Sequence, residues 1–596
     1  MNNNNRLVNE QLSYQEADVL RVLFERGGAT QRIIADACGH SVGIINRCIR
    51  ELERKGYITG DNHLSRKGVE LIKEKSPRNA IILAAGAGMR MTPINYTTPK
   101  ALLEVRGERL IERLIDQLHE AGITDITIVA GFMQEEFEYL MDEEGVELVV
   151  NEDYFVKNNL HSLSLAADKI NNTYILPCDI WCRENPFKKR ELYSWYMLSD
   201  RKDIDGHVRV NRKGEVVKTQ PDEPGNRMIG ISYLTGPQAE RVTDKLKKLS
   251  SEKKYEGAFW EEALYERDQM IVNARIIKDS NIEEINTYEQ LREIDSNSNH
   301  LKSNAIETIM GVFDCSAEDI VDICVLKKGM TNRSFLFSVS GEKYIMRIPG
   351  EGTEQLINRY QEAAVYDAIR GRGLCDDPVY ICAENGYKIT KFLEGIRACD
   401  PLNEEDVRRC MNRLKQFHEM ELKVEHTFDL FGQIQFYEKL WNGKTSVYRD
   451  YKETKEHVLE LKSYIEKTRN RQCLTHIDAV SDNFLFYKNE NGEELMQLTD
   501  WEYAGMQDPH VDIAMFCIYA LYKKEKVDRL IDIYFDNCCD KDTRAKIYCY
   551  IASCGLLWSN WCEYKRQLGI EFGEYSLRQY RYAKDYYKYA KQLMAE

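Results

Sequence analysis

Residues 475–505 read THIDAVSDNFLFYKNENGEELMQLTDWEYAG, and their spacing suits the transfer of a phosphoryl group. In the pattern H-x-D-x-x-x-x-N, Asp478 stands where it would accept the proton of an attacking hydroxyl. Asn483 and the later Asp500 stand where magnesium would be held on the phosphates of ATP. A chance polar hairpin would supply parts of this pattern and rarely the whole. A second constellation lies far upstream, in NAIILAAGAGMRMTPINYTTPKALL at 79–103. Glycines in a turn let backbone N–H groups close on a phosphate with no Cβ in the way. A strand followed by G-x-G is, alone, as often a tight turn as a nucleotide site. Here Ala85, Gly86 and Gly88 are joined by two cations, Arg90 and Lys100, placed both to bind a triphosphate and to act on it.

These residues need elements to hold them. The apolar run from Ala80 to Ala84 predicts a strand buried in a parallel sheet, followed by a second strand (TPKALLEV), an amphipathic helix (LIERLIDQLHEAG) and another strand (ITIVAGF). Before the downstream constellation, GMTNRSFLFSVSGEKYIMRIPG (329–350) reads as two strands with a phosphate-covering turn, and INRYQEAAVYDAI as the helix after them. At the start, residues 12–27 carry apolar positions at helical spacing, and two further helices are joined at Gly39-His40-Ser41. Polar linkers at KEKSPRN (73–79) and SNSNHLKSN (296–304) divide the chain into blocks 1–76, 77–298 and 299–596.

Composition sets bounds on function. The chain has 596 residues, too many for one core, with 43% hydrophobic and 30% charged residues, which fits a folded multidomain protein. A net charge of -15 argues against a chain built to coat nucleic acid or an anionic membrane. The start, MNNNNRLVNEQ, has no apolar leader, and the run IAMFCIYALY is too short to span a bilayer, so a cytoplasmic location without membrane insertion is expected. Seventeen cysteines without a C-x-x-C pair predict reduced thiols and no structural metal.

The N-terminal pattern, with DNHLSRKGVELI as wing and last helix, resembles winged-helix regulators of the MarR type. That resemblance implies that the helix at about 41–55 enters a major groove. Such modules also dock proteins, and residues 1–76 carry a net charge of only about +2, so a DNA or a protein partner both stay open.

The succession L-A-A-G-x-G-x-R and T-P-K-A-L resembles nucleotidyltransferases that join a nucleoside triphosphate to a phosphorylated small molecule, with Met89 where that family often has Ser or Thr. The family implies a Rossmann-like mixed sheet and a magnesium site, for which Asp179 and Glu261 match the acidic positions; Glu262, adjacent, competes with the second. NEDYFVKNNLHSLSLA together with FWEE is most similar to bacterial phosphocholine cytidylyltransferases. A quaternary ammonium is held by ring faces, and Phe259, Trp260, Trp181 and Tyr154 are candidates, each equally at home in a core.

The last block resembles the choline kinase and aminoglycoside phosphotransferase superfamily, whose fold is that of protein kinases. There Arg347 matches a position usually held by lysine, paired with Glu362, and Asp512 matches an aspartate that braces the catalytic loop. Trp558 and Trp561 fall on one helical face, continued by Tyr564, and Trp501 and Tyr503 follow the loop; this is either core or an aromatic choline box.

The expectation is a multidomain α/β and α+β chain: a winged helix, a Rossmann-like nucleotidyltransferase mixed sheet and a protein-kinase-like phosphotransferase. It would phosphorylate choline with ATP and convert phosphocholine with CTP to CDP-choline, using Mg²⁺. The alternatives are a sugar-1-phosphate nucleotidylyltransferase fused to a sugar or amino-alcohol kinase, and a transcriptional regulator whose enzyme-like domains sense ligands.

Overall fold

The computed structural model describes residues 12–596 except 97, 221, 327–331, 351–355, 376, 470, 490 and 568–569. The expected phosphate-covering turn at 329–331 lies outside the described residues. The chain divides into two compact units between Glu307 and Thr308, within the helix Asn304–Phe313 and after the polar stretch at 296–304.

The first unit opens with α1 (Tyr14–Arg26), α2 (Gln31–Cys38) and α3 (Val42–Arg54). Each begins where a hydroxyl satisfies exposed backbone donors: Ser13 with Glu16 in a capping box, then Thr30 and Ser41. Gly39, at φ 70°, ends α2 in the left-handed conformation that the turn requires. A single bridge between Ile58 and Leu64 makes the wing, and α4 (Arg66–Lys75) follows. Leu20, Leu23, Ile34, Ile45, Leu52 and Ile72 form the core of this bundle, and Leu192 from beyond it completes that core.

The rest of the unit is built on a ten-stranded mixed sheet. Its centre is β1 (Asn79–Ala84), flanked in parallel by β2 (Asp125–Ala130) and by β4 (Thr173–Pro177), with β3 (Val146–Val150) parallel outside β2. Every residue of β1 is buried, because both faces are covered, and this explains its unbroken apolar run. One face packs on α5 (Leu110–Glu120) through Ile111, Leu114 and Leu118. The other packs on α6 (Asn159–Leu165) and α7 (Gly236–Ser250). Antiparallel strands, led by Gly225–Leu234 against β4, extend the sheet on the far side.

The second unit has a five-stranded antiparallel sheet. Its inner strands are β5 (Asn332–Val339), β6 (Glu342–Pro349) and β7 (Lys388–Lys391), with α8 (Arg359–Ile369) after β6. A helical region follows, with α9 (His510–Tyr519), α10 (Lys541–Gln567) and α11 (Glu574–Ala595), around one large apolar core. Among the described residues no helix is long and apolar enough to cross a membrane.

Candidate active sites

In the first unit, β1 delivers its chain to the turn at 85–88 above the carboxyl end of the sheet, where open α/β sheets bind ligands. Gly88 sits at φ 57°, and a Cβ there would lie 3.1 Å from Lys100 Cβ, so the turn and the lysine approach only because this residue is glycine. A cavity of about 310 Å³ opens beside them, lined by Ala85, Gly86, Gly88, Met89, Arg90 and Lys100 from the turn side and by Asp179 and Asn286 opposite. Lys100 Nζ donates to Asp179 Oδ2 at 2.5 Å and to Asn286 Oδ1 at 2.7 Å, and Arg90 donates to the same Asn286 oxygen at 3.0 Å. Asp179 follows β4. Asn286 is brought to it by a two-stranded ribbon, Ile180–Cys182 against Ile282–Glu284, sealed by the Ile285 N–H donating to the Asp179 carbonyl at 3.0 Å. Glu284 accepts the Asn286 amide N–H at 2.6 Å, which turns the amide oxygen toward the cations.

Asp179 and Asn286 are hard oxygen donors facing one cavity, a set that suits magnesium with phosphate oxygens completing its shell. Glu261 does not line the cavity. Its carboxyl is buried, accepts the Tyr196 hydroxyl at 2.9 Å, leaves Oε2 without a partner among the described residues, and is pushed up to about 7 by that burial. The expected second acidic ligand, Glu261, thus lies away from the cavity, and the second oxygen group facing it beside Asp179 is Asn286, a neutral amide. The signal for it was present in E-E-I-N-T, an acidic pair followed by the Thr287 cap of a short helix.

The ring candidates separate as well. Trp260 is fully buried in the core against Tyr196, and Phe259, 62% exposed, does not line the cavity. Trp181 is stacked by the guanidinium groups of Arg106 at 4.3 Å and Arg113 at 4.8 Å. Only Tyr154 reaches the cavity, backed by Phe155 and Phe132.

In the second unit, the strand Cys473–Thr475 leads into the catalytic-loop pattern. The Asp512 carboxylate, at the start of α9, accepts the N–H of His476 at 3.0 Å and of Ile477 at 2.7 Å, and pairs with His418 Nε2 at 2.9 Å. Ile477 is held at φ 70°, a costly conformation for a β-branched residue, which this bracing imposes. Asn483 donates its amide to the Asp478 carbonyl at 2.8 Å and to its carboxylate at 3.2 Å. Burial, then Asp500 and Glu502, push Asp478 up to about 8. Among the described residues no three acidic, histidine or cysteine side chains are grouped to hold a metal ion, and Glu502 is taken by Asn332 and Arg359; Asn483 and Asp500 are the residues that would hold a divalent cation beside Asp478.

Arg347 forks onto Glu362 at 2.5 and 2.9 Å, and Glu362 also accepts from Arg359 at 2.9 Å. Burial alone would raise the Glu362 carboxyl; Arg347 and Lys388 hold it down at about 2. Trp501 is no cage wall. It is fully buried, edge-on to Phe417 and His476, with its indole N–H on the Leu498 carbonyl. Trp561 is buried too, and Trp558, half-buried, turns its N–H to the Met515 sulfur and its ring toward Tyr503. Four tyrosines lie within electrostatic reach of Asp478: burial raises the phenols of Tyr437, Tyr503, Tyr519 and Tyr575, and the Asp478 charge adds a smaller contribution to each.

A glycine turn with Lys100, Asp179 and Asn286, and a braced loop with Asp478, Asn483 and Asp500, define a nucleotidyltransferase joined to a phosphotransferase. The chain matches the MobA-like NTP transferase domain over residues 80–189, the choline/ethanolamine kinase family over 323–551 and the winged helix-turn-helix DNA-binding family over 12–59. It belongs to the nucleotidyltransferase family of the choline-phosphate cytidylyltransferase of Streptococcus pneumoniae, to which it is 32% identical over 228 residues, 37% of this chain and 99% of that protein. It is 33% identical over 196 residues to a 2-aminoethylphosphonate cytidylyltransferase of Lancefieldella rimae, 31% of this chain and 78% of that one. Protein LicA of Haemophilus influenzae matches at 29% over 264 residues, 42% of this chain and 75% of LicA.

Proposed function

We propose that the chain makes CDP-choline in two consecutive reactions. The observation that carries this reading is the presence in one chain of two complete constellations, one around Asp478 and one around Lys100 and Asp179, in which the product of the first reaction is the substrate of the second.

In the second unit, Asp478 takes the proton of the choline hydroxyl as its oxygen attacks the γ-phosphorus of ATP, and ADP leaves. The tyrosines near Asp478 hold the quaternary ammonium by their ring faces. In the first unit, a phosphate oxygen of phosphocholine attacks the α-phosphorus of CTP and pyrophosphate leaves. Arg90, Lys100 and the N–H groups of the turn bind the triphosphate and the charge that develops on it. Magnesium at Asn483 and Asp500, and at Asp179 and Asn286, would offset the negative charge of the transferring phosphates.

Purified protein given choline, ATP, CTP and Mg²⁺ is expected to yield CDP-choline and pyrophosphate. Asp478→Ala is expected to abolish product from choline and to leave product from supplied phosphocholine intact. No product from either substrate ends this reading. A second reading follows from the relative of Lancefieldella rimae: 2-aminoethylphosphonate as the cytidylyl acceptor, tested by competition against phosphocholine in the same assay.

For the winged helix we infer a DNA partner, since α3 presents Arg47, Arg50 and Arg54 on its exposed face. Salt-dependent binding of duplex DNA, weakened by Arg50→Ala, tests it.

A further inference from the structure

The helix that carries Arg47, Arg50 and Arg54 stands on a winged domain with little charge of its own, about +2 over residues 1–76, whereas duplex DNA is bound chiefly through its phosphates. Cations supplied from outside the domain would add to what it lacks. One pair lies against it, at the tip of a hairpin of the nucleotidyltransferase sheet that joins strands Val208–Val210 and Glu215–Lys218.

The tip reads Asn211-Arg212-Lys213-Gly214. Its shape is fixed from within: Asn211 Oδ1 accepts the N–H of Lys213 at 2.8 Å and of Glu215 at 3.1 Å, and the Gly214 N–H donates to the Asn211 carbonyl at 3.0 Å. Gly214 takes φ 79°, and a Cβ there would lie 3.3 Å from the ring of Tyr14, so the tip meets the first residue of α1 closely through a glycine. From that ring the contacts run to α3. The Tyr14 hydroxyl accepts the Gln15 amide N–H at 3.1 Å, and Gln15 Oε1 accepts from Arg47 Nη2 at 2.8 Å. The same ring meets His40 edge-on at 5.9 Å, and His40 immediately precedes Ser41, the cap of α3.

Arg212 and Lys213 are both exposed, and neither lines the nucleotide cavity. The charges on either side of them are engaged: Arg209 lies 3.7 Å from Glu223, and Glu215 accepts the Asn211 amide at 2.8 Å. Two cations thus stand on a rigid turn beside Arg47.

We propose that the DNA-binding face of this chain is composite. Arg212 and Lys213 of the nucleotidyltransferase hairpin extend the surface of α3 and meet phosphates of the duplex next to those met by Arg47. Their partner is the sugar–phosphate backbone, which fixes position and carries no sequence information. The inference rests on the reading of the winged helix as a DNA-binding module. It also gives the close packing of the two domains a use, because a hairpin already held beside α3 loses no freedom when DNA arrives.

The test is binding of the full chain to a labelled duplex of about 30 base pairs, three helical turns, followed by fluorescence anisotropy over a range of salt. Arg212→Gln with Lys213→Gln is expected to weaken binding about tenfold or more at about 0.1 M salt and to lower the slope of log K against log salt by about 1.8, two phosphate contacts at about 0.9 each. Arg212→Lys with Lys213→Arg, which keeps both charges, is expected to retain the parent's affinity and slope. A thermal transition equal to the parent's shows that each variant is folded. If the glutamine pair binds with the parent's affinity and slope, the composite face is overturned, and loss of binding in Arg50→Ala then leaves the winged helix as the whole interface. Weaker binding with an unchanged slope overturns it too, since phosphate contacts must register in the slope. A parent chain that binds no duplex at any salt ends both this inference and the DNA reading beneath it.

Discussion

Asn286 ties together two cations of the candidate nucleotidyl-transfer site that motif spacing singled out, because one amide oxygen accepts from both Lys100 and Arg90. Asn286→Ala removes that anchor and an oxygen donor, and is expected to lower CTP-dependent turnover by about 100-fold while leaving phosphorylation of choline unchanged, as steady-state assays of each reaction would show. Motif spacing reached Lys100, Arg90 and Asp179 because they neighbour a glycine turn or end a strand. It missed Asn286 because this carboxamide stands 186 residues beyond Lys100, flanked only by an acidic pair and a helix cap that many surface turns share. Glu261 illustrates the opposite error, an acidic residue beside tryptophan whose carboxyl folds into the core. Its folded pKa of about 7 stands above its ordinary 4.5, so its share of stability is full below pH 4.5 and is lost as the pH rises through 7. Glu261→Gln is therefore expected to match the parent near pH 4 and to exceed it by about 3 kcal/mol at pH 8, read from denaturant titrations at both values.

Among the elements, α9 decides whether the catalytic loop has a shape at all. Asp512 satisfies two consecutive loop N–H groups and His418, and so holds Ile477 in its left-handed conformation. Asp512→Ala leaves all three groups without this buried partner. It is expected to cost about 2–4 kcal/mol in the unfolding of the kinase unit and to abolish phosphorylation of choline, with cytidylyl transfer from phosphocholine retained. Elements of this kind were legible where periodicity and caps agree, as in β1 and the helices of the winged domain. The tryptophans of α10 were not, since a stripe three residues apart looks alike whether it faces a core or a ligand. Here Trp561 and Trp501 are core, and tyrosines from four separate segments lie within electrostatic reach of Asp478 instead. Only the fold collects those four, so no window of sequence could display them.

At the scale of the whole molecule, a nucleotidyltransferase domain and a kinase-family domain share one chain with separate sets of candidate site residues, so each set is expected to be inactivated alone. An equimolar mixture of Asp478→Ala and Asn286→Ala chains is expected to convert choline to CDP-choline, with free phosphocholine detectable on the way by phosphorus NMR. A mixture that makes none would require transfer within a single chain. The winged domain obeys a different logic, because Leu192 and Tyr193 of the nucleotidyltransferase pack into or against its core. A gene cut at residue 76 would therefore split one folding unit, leaving each product with a greasy scar where the other had been. Loss of DNA binding or solubility after such a truncation would report the wound and not the function, so dissection of this protein calls for point substitutions such as Arg50→Ala in an unbroken reading frame.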